Sequence, residues 1–451
     1  MKLEEYVENH PRLFPLPVLV LTPAPYSLRL GRVLTRDQIP EPLVFCNKMT
    51  HFPALVAPGL FLGSIACTSA LQRLVVSARR SWTFAPPSVV PRYVSSPSYS
   101  SSESPSSLLA AFKEDGFALI PAVLTADECD HAISLLWDYV EAASNVKKAM
   151  GVASPSPPVS RSDPDTWHSS ASWPACLEGG ILPYYGSGQS SCAWFVRTRP
   201  AVRAAFSSLW SSLRGAPPGA QPMSTSFDGL LMWRSSSPPP EAGWFHIDQC
   251  PLTKPGFAMV QGLVNLVDAT QGSGGNVMIR GSHEVFPGHY MTKHYADRAS
   301  ELKGEDWFEF DGEDPVLLKW HEEGRVVRLG MRKGDLLLWD SRTVHCSYPP
   351  EARGEEGGGK RPEIVRAAAL VAMCPRDDVP ARVREGRRKQ VEAGMTATHW
   401  PQKGDVALGA EQEEQVALEK ERVRRMRSTR ENVILDFRSL PEGPEGALEL
   451  I

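Results

Sequence analysis

The sequence predicts a mainly β domain with flanking helices (α+β), whose strands form a sandwich or a double-sheet barrel. From about residue 224 to residue 374 the chain consists of short apolar runs separated by Gly, Pro and Asp. This pattern is typical of many short strands joined by turns. Apolar residues with helical spacing occur on both sides of this region, over 108–143 and 377–394. With 451 residues, the chain is long enough for one large domain with extensions.

The overall composition is that of a globular protein, with 42% hydrophobic and 22% charged residues. The net charge of -4 provides no basic surplus for neutralising phosphates, so we expect no nucleic-acid partner. The 8 cysteines are scattered and form no C-x-x-C pair. This spacing argues against a structural zinc site and against a disulfide scaffold, and it favours reduced thiols in an intracellular protein.

The first hundred residues differ from the rest of the chain. No acidic residue occurs over 42–102, whereas arginine, serine and proline are frequent. This composition fits a disordered leader or one wrongly included in the chain, and it is also found in organelle-targeting segments. Residues 50–72 carry no formal charge, but their prolines make a poor membrane span, so we expect no membrane insertion. We therefore expect a cytoplasmic protein, or an organellar one if the leader is a targeting peptide.

Three regions are predicted along the chain. Residues 1–104 form the leader and a flexible Ser/Pro linker, residues 105–400 the folded domain, and residues 401–451 a charged, solvated helix and tail. The domain begins with a helix that stops at a glycine, a short strand, and a second helix. Thr125 is the expected N-cap of that helix, with Glu128 completing a capping box. A further helix is predicted over 199–213.

One pair of metal-binding residues lies in "GWFHIDQCP" (243–251). Alternate residues of a strand point to the same side of a sheet, so His246 and Asp248 are expected on one face at a strand end. A His-x-Asp pair by itself arises often by chance. Its significance therefore depends on which residues the following strands place beside it.

Two later segments supply such residues. The segment "GDLLLWDSRTVHCSYPP" reaches His345, which shares a strand face with Thr343 and Ser347. In "EIVRAAALVAM", Arg366 lies on an apolar face, where an unpaired guanidinium is costly and a carboxylate is its best partner. Two histidines and a carboxylate on adjacent strands leave open positions on an octahedral Fe(II), as an oxygenase requires. The sequence thus predicts a metal site.

These segments resemble the phytanoyl-CoA dioxygenase family of Fe(II)- and 2-oxoglutarate-dependent oxygenases, over residues 105–400. The resemblance is carried by "WFHIDQCP", "AMVQGLVNLVDATQGSGGNVMIRGSHEVFPGHY" and "GDLLLWDSRTVHCSYPP". The earlier segments "FKEDGFALIPAVLTADEC", "GILPYYGSGQSSCAWFVRTRPAVRAAFSSLW" and "STSFDGLLMWR" also fit it. The family acts on lipids, osmolytes and secondary metabolites alike, so the resemblance does not specify a substrate.

The resemblance implies a double-stranded β-helix (jelly-roll, cupin-like) core with helices packed outside it. It implies that His246, Asp248 and His345 are the catalytic iron ligands and that Arg366 holds the distal carboxylate of 2-oxoglutarate. The implied reaction consumes O2 and 2-oxoglutarate, hydroxylates a small organic or lipid-like substrate, and releases succinate and CO2, with ascorbate as a candidate reductant. Asp248 favours hydroxylation or desaturation over halogenation, because halogenases of related fold lack that carboxylate.

Some residue assignments stay open. The segment before Arg366 is longer than the family pattern leads us to expect, so Arg361 or Arg353 could hold the carboxylate instead. Arg366 is favoured because only it lies within a predicted strand. Gln261 and Asn265 are in phase on the strand after the His-x-Asp turn. They are candidate hydrogen-bond partners of 2-oxoglutarate or of an iron-bound water.

Two other functional classes also stay open. One is a catalytically inactive jelly-roll protein that only binds a ligand. The other is a cupin-like metalloenzyme that does not use 2-oxoglutarate, although such cores usually use three histidines or a set that contains Glu. His399 and Trp400, in "GMTATHWP", match the family pattern, but no chemical role follows for them from the sequence.

Overall fold

The computed structural model describes most of the chain after residue 88. The described ranges are 89–95, 105–152, 156–174, 176–177, 180–217, 219–235, 242–286, 288, 306, 308–350, 362–403, 413–429, 433–435 and 450–451. Most of the predicted leader and linker lies outside them, as do Arg353 and Arg361. No helix within these ranges is long and apolar enough to cross a bilayer.

The described residues form thirteen strands and seven α-helices. The strands are β1 Arg92–Ser95, β2 Phe117–Ile120, β3 Ile181–Leu182, β4 Met223–Thr225, β5 Leu230–Arg234, β6 His246–Ile247, β7 Val260–Asn265, β8 Gly275–Ile279, β9 Phe308–Glu309, β10 Val326–Gly330, β11 Leu336–Asp340, β12 His345–Tyr348 and β13 Ile364–Pro375. The helices are α1 Pro105–Asp115, α2 Ala126–Ala149, α3 Ser191–Thr198, α4 Pro200–Arg214, α5 Pro315–Glu322, α6 Ala381–Ala393 and α7 Glu413–Thr429.

The strands form two sheets. The smaller sheet has the order β1-β10-β8-β12-β6-β9, and the larger has the order β2-β11-β7-β13-β5-β3, with β4 paired to β13. The chain alternates between the sheets from β5 to β8 and again from β10 to β13. This winding is that of a double-stranded β-helix, so the predicted fold class is confirmed.

Side-chain alternation along the strands builds three apolar layers. Met278 of β8 and Leu337 of β11 lie in an apolar cluster that contains residues of both sheets. This cluster therefore fills the space between the sheets. Their strand neighbours on either side lie in two outer clusters. Helices α1–α4, α6 and α7 cover the outer face of the larger sheet, and α5 covers that of the smaller one. A polar side chain that points between the sheets is therefore enclosed by apolar neighbours.

The start of the domain agrees with the sequence prediction. The Thr125 hydroxyl accepts a hydrogen bond from the Glu128 amide at 3.2 Å, and the Glu128 carboxylate accepts one from the Thr125 amide at 2.9 Å. This is the predicted capping box at the start of α2. The helices predicted over 199–213 and 377–394 are α4 and α6, and α6 begins only after Pro380.

The packing departs from the predicted boundaries at both ends of the domain. Strand β1 lies within the predicted leader, yet it pairs in parallel with β10 at the edge of the smaller sheet. The predicted charged C-terminal helix forms as α7, but Val423 and Met426 are buried in the main core. Residues 433–435 also hydrogen-bond to the main chain at Gln189 and Ser191. The sequence prediction of a solvated helix after residue 400 is therefore wrong for one face of α7.

Candidate metal centre

Two histidines are brought together by the pairing of β6 with β12. His246 and His345 are direct partners in this antiparallel ladder. Their immediate neighbours, which are Phe245, Ile247, Val344 and Cys346, belong to the cluster on the outer face of the sheet. Both histidines therefore point to the opposite side, into the space between the sheets.

Asp248 completes a group of three potential ligands. It lies in a bend just after β6, and its carboxylate oxygens are 3.7 Å from His246 Nε2 and 3.3 Å from His345 Nε2. One ligand atom from each of the three residues lies within 4.8 Å of the others. Two imidazole nitrogens and one carboxylate oxygen are a donor set that suits Fe(II) and related divalent metals. No other such group of three occurs in the part of the chain that the structure describes.

Both imidazole rings are oriented by main-chain hydrogen bonds. His246 Nδ1 donates to the carbonyl oxygen of Trp244 at 3.0 Å, and His345 Nδ1 donates to that of Thr343 at 2.9 Å. A carbonyl oxygen can only accept, so each Nδ1 carries the proton and each Nε2 bears the lone pair with which an imidazole binds a metal. Such bonds hold the ring and its tautomer as a metal requires. The Trp244 ring also stacks on His246, with centroids 4.4 Å apart.

The charges at the site also favour a cation. Burial lowers the pKa of His246 to about 4, and the nearby His345 acts in the same direction. Burial raises the pKa of Asp248, but the adjacent His345 and His246 imidazoles outweigh the effect of burial and keep this pKa well below its usual range. At neutral pH, His246 is therefore neutral and Asp248 is ionised. These are the forms in which imidazole and carboxylate bind metals.

Arg366 lies further along the same interior face. Its Nη1 donates to Ser347 Oγ at 2.9 Å and its Nη2 to Asn276 Oδ1 at 2.7 Å, and its guanidinium lies 4.7 Å from the ring centre of Trp233. Ser347 is two residues, or about 7 Å, beyond His345 along β12. Burial lowers the pKa of Arg366 to about 10, which leaves it charged at neutral pH. A buried cation with neutral partners is suited to an anionic ligand.

The two polar residues of β7 have different partners. Gln261 is buried, and its Nε2 donates to Asp248 Oδ2 at 2.9 Å. The Asn265 amide donates instead to the main-chain carbonyl of Val267. The structure therefore brings Gln261 to the candidate metal ligands, whereas the donor group of Asn265 serves the turn after β7.

His399 is a residue of this site that sequence reasoning did not assign. Its Nε2 donates to the main-chain carbonyl oxygen of Asp248 at 3.0 Å. The segment "GMTATHWP" stood out in the sequence, but no spacing rule connects it with a residue so distant in the chain. Asn276 was missed for the same reason, since only the register of β8 against β12 places it opposite Ser347.

Comparison with solved structures gives matches of low identity. EctD from S. alaskensis, solved with 2-oxoglutarate and 5-hydroxyectoine, is 16% identical, with 64% of this chain and 83% of EctD covered, at a TM-score of 0.35. The epimerase SnoN, solved with Fe3+, alpha-ketoglutarate and nogalamycin RO, is 17% identical, with 60% of this chain and 83% of SnoN covered, at a TM-score of 0.33. The fold assignment accordingly rests on the two sheets themselves.

Sequence comparison is more informative. The Ava biosynthesis cluster protein O of Aspergillus versicolor is 28% identical over 257 residues, which are 53% of this chain and 71% of that protein. Residues 198–352 match the sequence model of the phytanoyl-CoA dioxygenase (PhyH) family. The matched stretch contains all three residues of the His-Asp-His group. The resemblance found in the sequence is thereby confirmed for residues 198–352, which are similar to the phytanoyl-CoA dioxygenase family.

Proposed function

We propose that this chain is an Fe(II)- and 2-oxoglutarate-dependent dioxygenase that hydroxylates a small organic or lipid-like substrate, with release of succinate and CO2. The observation that carries the proposal is one interior face that bears two histidines, a carboxylate and, further along, a buried arginine without a carboxylate partner among the described residues. The match of residues 198–352 to a dioxygenase family supports the same class.

The proposed iron ligands are His246 Nε2, His345 Nε2 and a carboxylate oxygen of Asp248. Fe(II), when bound there with O2 and 2-oxoglutarate, would supply the oxidising chemistry. The protein orients the two imidazoles through their Nδ1 hydrogen bonds. It also keeps Asp248 ionised, so that the site holds one negative charge toward the cation.

Arg366 is the proposed partner of the distal carboxylate of 2-oxoglutarate. Ser347 and Asn276 each accept one hydrogen bond from its guanidinium, which holds the planar group in a single orientation. A carboxylate that binds the remaining N–H groups would neutralise a charge that burial now leaves without a counterion. Asn265 remains a second candidate contact for the co-substrate.

The apolar surroundings are suited to excluding water from the reaction. Trp244 stacks on His246, and Trp339, which is buried, lies with its ring centre 5.4 Å from that of His345. Enclosure by aromatic rings strengthens the electrostatic interactions of the site and limits side reactions with solvent. It does not identify the substrate. The carboxylate ligand supports hydroxylation over halogenation, and it does not distinguish hydroxylation from desaturation.

The experiment that tests this function needs no substrate. The purified protein is loaded anaerobically with Fe(II), 2-oxoglutarate is added, and the visible spectrum is recorded. O2 is then admitted, with ascorbate as reductant, and succinate is assayed. A new visible charge-transfer band followed by slow succinate release is the expected result. Folded protein that binds Fe(II) but gives neither signal would refute the use of 2-oxoglutarate, and would favour a binding protein or a metalloenzyme of another class.

A further inference from the structure

The carboxylate ligand differs from the two histidines in how the backbone holds it. His246 and His345 lie in paired strands, directly opposite each other. Asp248 lies in a bend after the short strand β6, beyond the last residue of the described ladder. A ligand in a bend needs other contacts to keep its position, because a shift of its main chain moves its oxygens directly. Two side chains from distant parts of the chain provide such contacts.

The first contact is with Gln261, which holds the carboxylate itself. Gln261 lies on β7, between β11 and β13 in the larger sheet, and is 4% exposed. Its Nε2 donates to Asp248 Oδ2 at 2.9 Å. The reverse amide orientation would place Oε1 against an ionised carboxylate, so the charge of Asp248 sets the orientation of the amide. Gln261 Oε1 is buried and has no partner among the described residues, which leaves it as an acceptor for a ligand or a water.

The second contact is with His399, which holds the main chain of the same residue. His399 Nε2 donates to the Asp248 carbonyl oxygen at 3.0 Å. The residues after His399 are tied to the loop that follows Asp248. The Lys254 ammonium lies 4.5 Å from the ring centre of Trp400, and Lys254 and Lys403 both form ion pairs with Asp306.

We propose that Gln261 and His399 are positioning residues for Asp248 at the metal centre. Gln261 occupies Oδ2 and so leaves Oδ1 as the oxygen available to the metal, while His399 fixes the main chain that carries the carboxylate. His399 lies outside the stretch that matches the family, so the segment after α6 becomes part of the site. This inference rests on the proposed metal centre. Residues that orient metal ligands typically contribute about 10- to 100-fold to metal affinity.

The test measures metal affinity without turnover. Co(II), whose visible spectrum reports its ligands, is titrated into metal-free full-length protein. Gln261→Met and His399→Leu should each weaken Co(II) binding by about 10- to 100-fold. His399→Gln, which keeps a donor of similar reach, should restore part of the loss. Gln402→Met is the matched control, because the Gln402 amide donates to the main-chain carbonyl of Ala258 and not to Asp248. Like Gln261, Gln402 has a buried Oε1 with no partner among the described residues.

Testing Gln261→Met in protein that also carries Asp248→Ala separates positioning of the carboxylate from general damage to the fold. With Asp248→Ala, the two histidines still bind Co(II) weakly, and Gln261→Met should then have no further effect. Wild-type protein that binds Co(II) as tightly as Gln261→Met and His399→Leu would overturn the inference and leave the proposed function standing. An effect of Gln261→Met that persists without Asp248 would also overturn it. Wild-type protein that binds no Co(II) would overturn the proposed function together with this inference.

Discussion

Replacing Arg366 should separate co-substrate binding from metal binding and from folding. The change to examine is Arg366→Met, which keeps the length and apolar stem of the side chain but removes the guanidinium. In the ligand-free protein this guanidinium has two neutral hydrogen-bond partners and an aromatic ring beside it. Its removal therefore deletes two hydrogen bonds and also removes the cost of burying an unpaired charge. These two effects on the free energy of unfolding offset each other.

The expected effect on 2-oxoglutarate is much larger. Removing one partner of a buried, hydrogen-bonded charge pair costs about 2–5 kcal/mol of binding free energy. This corresponds to about a 30- to 4,000-fold rise in the dissociation constant of 2-oxoglutarate. Arg366→Lys should recover only part of the affinity, because an ammonium keeps the charge but cannot form the two parallel bonds of the guanidinium. Co(II) affinity should remain close to that of the wild type.

Calorimetric titration of 2-oxoglutarate into anaerobic Fe(II)-loaded protein provides the measurement. Thermal unfolding of each metal-free variant serves as the folding control. Arg361→Met and Arg353→Met belong in the same series, because both arginines are alternative partners of the carboxylate. If Arg366→Met binds 2-oxoglutarate as tightly as the wild type and Arg361→Met does not, the assignment of Arg366 is wrong.

Three further predictions concern the metal site and its support. His345→Ala should lose bound metal on dialysis together with all turnover, and Asp248→Gly should stop hydroxylation; metal content and succinate release measure both. The pKa of His246, lowered by burial to about 4, predicts that metal-free protein loses stability as pH falls from about 6.5 to about 4, since the unfolded state takes up a proton there that the folded state does not. The loss is at most about 3 kcal/mol, and urea unfolding at pH 7 and pH 5 should show it in the wild type but not in His246→Asn. Gly180→Ala should raise the KM for 2-oxoglutarate without changing Co(II) affinity, because a Cβ there would lie 1.8 Å from Trp233 Cδ1, and the Trp233 ring lies beside the Arg366 guanidinium. An unchanged KM would contradict this prediction.

Local sequence patterns were sufficient to predict those features whose interactions join residues only a few positions apart. The capping box at Thr125 was predictable because its two hydrogen bonds join residues three apart. The common side of His246 and Asp248 was predictable from strand alternation. The burial of one face of α7 was not, because its composition is charged and only packing against α2 and the turn before α3 makes Val423 and Met426 interior residues.

The sequence by itself determined the fold class, the types of the candidate ligands and the presence of a strand arginine on an apolar face. Only the tertiary structure decided which of these groups meet. The register of β12 against β6 places His345 opposite His246, and the register against β8 places Asn276 within reach of Arg366. The tertiary structure also brings Gln261 and His399 into contact with Asp248. Register and such long-range contacts follow from how the whole interior packs, and no short segment contains that information.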